Sequence, residues 1–243
     1  MKSLALCIIP AHGFIPWDDD IDFGMLRNEY ERFLEVAPRQ LSENFFLQTW
    51  DNDDYYPYVF SKVRKKNTLY IEAIAQESNA HNELYVDVFP YDGYPQDLND
   101  RKEQKRKELR YHRCMLMHSG FTPWANHKGV LERILVRVKY LPYMFYSVLI
   151  SRDEIKKRYN RIMQKHDVSS CKELCEHTGG SVYGKRVMKK DWFDSYVWLQ
   201  FEDTTFSAPK GYKECLEASY GDYMKLPPEE KRGNRHNIIK VKL

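Results

Sequence analysis

The sequence predicts an α/β (α+β) fold, a small mixed sheet flanked by helices with an additional helical region at about residues 100–165. Three observations predict it. Apolar residues recur at helical spacing just after an acidic cluster, residues 84–89 alternate with period two, and residues 100–165 are rich in Lys, Arg, Leu and Tyr with few turn signals. No internal repeat or low-complexity linker divides the chain, so residues 1–243 read as one compact unit.

The first helix follows the acidic cluster, with Tyr30, Phe33, Leu34 and Ala37 on one face and Pro38 as its stop. Leu84, Val86 and Val88 then alternate with Tyr85, Asp87 and Phe89, a strand expected to end at Pro90 and a turn at Asp92-Gly93. Two or three helices should fill 100–165, broken near Gly120 to Pro123 and at Pro142. Further on, strand-like pieces lie around Tyr196 to Phe201, and a helix runs from Tyr212 to Tyr223 before Pro227-Pro228. This last third is expected to close over chemistry carried earlier in the chain.

Composition bounds the function. Hydrophobic residues make up 42% and charged residues 30%, which excludes global disorder. Lys and Arg number 38 against 35 Asp and Glu, a net charge of +3 that gives no case for a nucleic-acid binder. The basic run 101–113, RKEQKRKELRYHR, reads as a helix whose charged face is solvated or meets anionic lipid or a phosphate-rich acceptor. Five scattered cysteines suit a reducing compartment. Cys171, Cys175 and His177 could supply three zinc ligands, although the spacing lacks a second matching pair. The start, MKSLALCIIPAHGF, is poor material for a secretory signal. Residues 140–150, YLPYMFYSVLI, make about half of the roughly 20 residues that span a bilayer, so they predict a buried or interfacial helix.

The chemistry concentrates in GFIPWDDDIDFG, residues 13–24. Asp18, Asp19, Asp20 and Asp22 repel one another unless a cation joins them. If residues 20–23 are extended, Asp20 and Asp22 share one face while Ile21 and Phe23 anchor the other. Two such hard oxygen donors suit Mg²⁺ or Mn²⁺, which keeps waters and takes other ligands from phosphate oxygens. Asp87, the one acid in an apolar strand, is the best third carboxylate; the alternative is a structural Asp bonded to backbone amides. A calcium loop would place Asp18, Asp20, Asp22 and Glu29 at ligand positions, but Phe23 stands where that loop needs Gly.

The stretch GFIPWDDDIDFGMLRNEYERF resembles the signature of the LicD family, which is also similar to the fukutin-related proteins. SKVRKKNTLYIE (61–72), ELYVDVFPYDGYP (83–95), APKGYKECLEASYGDYMKLPPEEKR (208–232) and His236 follow in the family's order. The resemblance implies a nucleotidyltransferase-like fold. It also implies transfer of phosphocholine, or a related alditol phosphate, from a cytidine-diphosphate donor (CDP-choline or a CDP-alditol) to a glycan or glycolipid. Its acidic motif falls on Asp18, Asp20 and Asp22, and its strand acid on Asp87, as a third metal ligand or as the base for the acceptor hydroxyl. Lys62 and Arg64 are expected to face the phosphates, unless they form an exposed basic strand end, and Arg232 and His236 are the second choice. Tyr220, Gly221 and Asp222 match a family motif and equally suit a helix C-terminus. The family also implies a cytoplasmic site of action at the inner face of a membrane, with peripheral membrane contact. Where relatives carry a helix and a stretch resembling GTLLGAVRHKG, this chain has SLALCIIPAHG, with Ser3 and Cys7 in place of glycines and Pro10 in place of arginine. Residues 4–9 are therefore expected to continue as a strand instead of a phosphate loop, the mark of a shortened or degenerate start that binds donor weakly. An inactive or regulatory remnant is the alternative function.

Overall fold

The computed structural model describes residues 4–5, 13, 21–178, 187–225, 228–229, 232 and 236–243. Asp18, Asp19, Asp20 and residues 6–10 lie outside the described residues, so the expected strand is seen only at its start. In chain order the elements are β1 (Leu4–Ala5), β2 (Asp22–Leu26), α1 (Arg27–Gln40), β3 (Phe45–Gln48), β4 (Ser61–Lys65), β5 (Leu69–Glu72), β6 (Tyr85–Tyr94), α2 (Leu98–His118), α3 (Val130–Leu149), α4 (Arg152–Met163), β7 (Glu173–Glu176), β8 (Val187–Lys189), β9 (Tyr196–Phe201), β10 (Thr204–Pro209), α5 (Tyr212–Tyr220) and β11 (Ile238–Lys242). Mixed α and β structure is present as expected. Among the described residues seven strands share one sheet along the path β1-β2-β6-β4-β3, with β7 and β8 added beside β6.

β6 is the axis of that sheet. β2 runs parallel to it, while β4 and then β7 pair antiparallel along its other edge. A parallel pair needs a long crossover, and α1 begins it and covers one face. Tyr30, Phe33 and Ala37 of α1 pack there on Met25, Leu47 and Val88, with Phe23 and Val63 beside them. Because side chains alternate along each strand, the opposite face carries Asp22 and Asp87.

Proline and glycine misled at three places. Pro38 lies inside α1, which runs to Gln40; it gives up an amide only in the last turn, where Leu41 N–H still donates to Ala37 O at 2.9 Å. Pro90 and Asp92-Gly93 do not end β6, which continues to Tyr94. Asp87 N–H donates to Ile21 O on the β2 side, so the nitrogen of Pro90 faces the other edge. There β4 pairing ends at Val88 and β7 pairing starts at Tyr91, so the missing donor costs no ladder bond. Gly93 is required for closeness: a Cβ there would lie 2.5 Å from His166 O. Pro142, third, does not break the helical region. α3 passes through it, and the break comes at Ser151, whose Oγ caps α4 by accepting Glu154 N–H at 3.3 Å.

The helices form the second core. Tyr111, Cys114 and Met115 of α2 pack with Ile155, Tyr159 and Met163 of α4, and with Trp50, Tyr56 and Val59 of the β3–β4 connection. The basic run is a helix as expected, with Lys102, Arg106 and Arg110 exposed, Gln104 and Glu108 turned inward and Arg101 paired with Glu173. The C-terminal third divides. The β9–β10 hairpin packs through Phe206 on Phe23, ring centroids 5.5 Å apart, whereas β11 pairs with β5. α5 stops at Tyr220 because Gly221 takes φ +73°, so this motif has a capping role.

Asp92 is a structural anchor. Its carboxylate is 2% exposed and accepts from Arg27 Nε at 2.7 Å and Nη2 at 2.5 Å, tying the start of α1 to the C-terminal end of β6. Arg27→Ala would leave that carboxylate buried without its guanidinium. We expect a loss of about 3–5 kcal/mol in urea unfolding; a loss below about 1 kcal/mol would show the pair to be dispensable.

Candidate active site

Register, not sequence proximity, assembles the site. Asp22 of β2 is the Cα partner of Asp87 of β6, which is the partner of Lys62 of β4, which is the partner of Gln48 of β3. One row of the sheet thus reads Asp22, Asp87, Lys62, Gln48 across four strands. In-register neighbours project to the same side, so two carboxylates and an ammonium converge on the face that α1 leaves uncovered.

Lys62 Nζ donates to Asp87 Oδ1 at 2.6 Å, with side chains 7% and 12% exposed. Burial pushes the Lys62 pKa down, while Asp87 beside it holds it up. The same ammonium lies 3.1 Å from the ring centroid of Tyr85, a cation–π contact that further compensates lost hydration. Tyr85 Oη in turn donates to Glu72 Oε1 at 2.7 Å. The Glu72 carboxyl is held at about 2: burial opposes its ionisation, but His236, Lys62 and Tyr85 together outweigh it.

Of the residues expected from sequence, Asp22, Asp87 and Lys62 stand together on one row. Arg64 is two residues along the same face, buried, its Nε donating to Gln48 Oε1 at 2.5 Å and its Nη1 to Glu83 O. Neither cation forms an exposed strand end. His236 arrives just before β11, its Nδ1 3.6 Å from Glu72 Oε1. Arg232 is half-buried after Glu229, whose carbonyl accepts its N–H at 3.0 Å. Asp18 and Asp20 lie outside the described residues; Asp20 is two residues before Asp22 in sequence. A calcium loop is excluded at its centre, because residues 22–26 form a strand.

Gln48, Glu72 and Tyr85 were not anticipated. Tyr85 shares the face of Asp87 by simple alternation, and Glu72 closes the segment SKVRKKNTLYIE, so both signals were present. Gln48 carried none. The zinc expectation fails: among the described residues no group of three His, Cys, Asp or Glu could hold a metal ion. Cys175 lies within β7, its Sγ donating to Glu176 O at 3.3 Å, and burial pushes its thiol pKa up.

Residues 5–128, more than half of the chain, match the LicD/FKTN/FKRP nucleotidyltransferase domain. The chain belongs to this family. The match contains Asp18, Asp20, Asp22, Lys62, Arg64 and Asp87, while Arg232 and His236 lie beyond it. The chain is also similar to the lipopolysaccharide cholinephosphotransferase LicD of Haemophilus influenzae, at 29% identity over 232 residues, 92% of this chain and 80% of that protein. No solved structure matches. Within the matched residues, the acidic strand β2 and the strand carrying Asp87 are neighbours.

The lowered pKa of Glu72 has a pH consequence. A depressed carboxyl stabilises the fold above its unfolded value and loses that contribution as pH falls toward about 2. Glu72→Gln should therefore flatten the acid limb of stability, with the wild type losing on the order of 3 kcal/mol more than the variant between about pH 5 and pH 2. Urea unfolding at a series of pH values measures it, and parallel curves would contradict it.

Proposed function

We propose that this chain transfers phosphocholine, or a related alcohol or alditol phosphate, from a CDP-linked donor to a cell-surface glycan such as lipopolysaccharide, teichoic acid or capsule. The observation that carries the reading is the row Asp22, Asp87, Lys62, formed inside the family's domain. Support for the transferred group comes from the similarity to a lipopolysaccharide cholinephosphotransferase. The acceptor hydroxyl oxygen forms a bond to the phosphorus of the transferred group as the bond to cytidine monophosphate breaks, and the hydroxyl proton passes to a base.

Charge on the phosphate oxygens is the main obstacle to such a step. Asp22 and Asp87 offer adjacent carboxylate oxygens, a hard donor set that fits Mg²⁺ or Mn²⁺, with Asp20 and Asp18 as further ligands from the same motif. When bound, the ion neutralises phosphate charge and orients the donor. Lys62 fixes the rotamer of Asp87 and adds positive charge beside it. Arg64, Arg232 and His236 are assigned to the nucleotide side. Through Gln48 and Glu83, Arg64 also stiffens the strands that carry Lys62 and Asp87. Asp87 either ligates the ion or takes the acceptor's proton. The reaction is assigned to the cytoplasm, at the inner face of the membrane where a glycolipid acceptor is held.

Asp22→Asn should lower release of cytidine monophosphate from CDP-choline in the presence of acceptor glycan at least about 100-fold without loss of thermal stability. Asp87→Asn separates the two roles of that residue. A raised Mg²⁺ requirement with turnover restored at saturation marks a ligand, and lowered turnover at every Mg²⁺ concentration marks the base. Unchanged turnover in Asp22→Asn would overturn the assignment of the site.

A further inference from the structure

α3 is inside out. In a helix that serves a soluble core, the apolar stripe faces the protein and the polar face meets water. Here Val130, Leu131, Ile134, Leu135, Leu141 and Phe145 are exposed, Val130 at 74% and Phe145 at 69%, and no residue of the helix is buried. At 100° per residue these positions, with Val138, Val148 and Leu149, fall within one arc of about 140°. The inward side is narrower and largely aromatic, with Tyr143 and Tyr146 packed against the α2–α4 core and their hydroxyls tied by arginines. Tyr143 Oη accepts from Arg113 Nη1 of α2 at 2.8 Å, and Tyr146 Oη from Arg158 Nη1 of α4 at 3.4 Å. The helix is thus fastened by tyrosines on one side and presents about 30 Å of aliphatic surface on the other.

We propose that this face of α3 is a docking surface for an anionic lipid bilayer, lying in the headgroup region parallel to the membrane plane. Charge selects the occupant. Arg133 and Arg137 border one edge of the apolar arc and Lys139 the other, all exposed, against a single acid, Glu132. Long cationic side chains at the rim of an apolar stripe reach up to lipid phosphates while the stripe enters the acyl boundary. A second copy of this chain fits less well, since a two-fold interface would bring the same cationic rims together. A membrane span does not fit either. Among the described residues no single helix is long and apolar enough to cross a bilayer, and α4, which meets α3 at a 110° bend, spends Ile155, Tyr159 and Met163 in the core. The surface lies away from the Asp22–Asp87 row in sequence and in structural role, and its proof does not depend on the transfer reaction.

Vesicle flotation tests the proposal without donor or acceptor. The full chain should float with vesicles of phosphatidylcholine and phosphatidylglycerol, and far less with phosphatidylcholine alone. Phe145→Asp, at an exposed position where folding is undisturbed, should weaken partition at least about tenfold. Arg133→Ala and Arg137→Ala should each weaken it about fivefold, on anionic vesicles only. Thermal melting confirms the fold of each variant, and sedimentation analysis reports its oligomeric state. Absence of wild-type flotation would overturn the proposal, as would a dimer that Phe145→Asp dissociates while flotation is unaffected. Transfer to a soluble glycan fragment should be the same in Phe145→Asp as in wild type, so failure of the membrane surface and failure of the transferase reading give different results.

Discussion

The ion pair between Lys62 and Asp87 is the constraint around which the rest of the site is arranged. Both side chains are nearly buried, so each has given up hydration worth several kcal/mol, recovered only while they stay 2.6 Å apart. That separation depends on the β4–β6 register, and a slip of one residue would turn the two groups to opposite faces. The register is in turn held by apolar alternation, since Val63 and Val88 must face α1. The candidate site and the core packing are therefore two faces of the same strands. A pairing error that misplaced Asp87 would also expose the core.

Around that pair the protein builds outward in polar contacts. The Tyr85 ring shields the ammonium, its hydroxyl bonds to Glu72, and Glu72 draws in His236 from the far end of the chain. The returning strand β11 is what makes this last contact, because its pairing with β5 holds the residues just before Ile238 beside Glu72. A second set of bonds, from Arg64 to Gln48 and from Gln48 to Asp53, links β4 to the β3–β4 connection on which α4 packs. The helical region is thus coupled to the site through buried polar groups as well as through its apolar core.

That coupling gives the unusual orientation of α3 a setting. α2 and α4 bury their apolar faces against the core, while α3 turns its tyrosines inward and its aliphatic residues out. On the proposed reading, a helix fastened by directional hydroxyl bonds would hold the site at a fixed height above a bilayer that carries the acceptor.

Much of this was legible in the sequence for a simple reason: periodicity records which face of an element is buried. The alternation of Val86, Asp87, Val88 placed the acid opposite the core, the spacing of Tyr30, Phe33 and Ala37 gave α1, and the acidic motif with its companion segments gave the family. Proline, glycine and turn-forming aspartate are less legible, because their meaning depends on neighbours. Pro90 is harmless only because its nitrogen meets a gap between two partner strands, and Asp92 is an anchor only because Arg27 lies across from it. The sequence by itself determined the acidic and basic residues expected at the candidate site, the family and the alternation of faces. Only the tertiary structure decided that Asp22, Asp87, Lys62 and Gln48 share one row, that Glu72 and His236 meet, and that the apolar face of α3 points outward, because strand partners and helix orientation are settled by contacts between segments far apart in the chain.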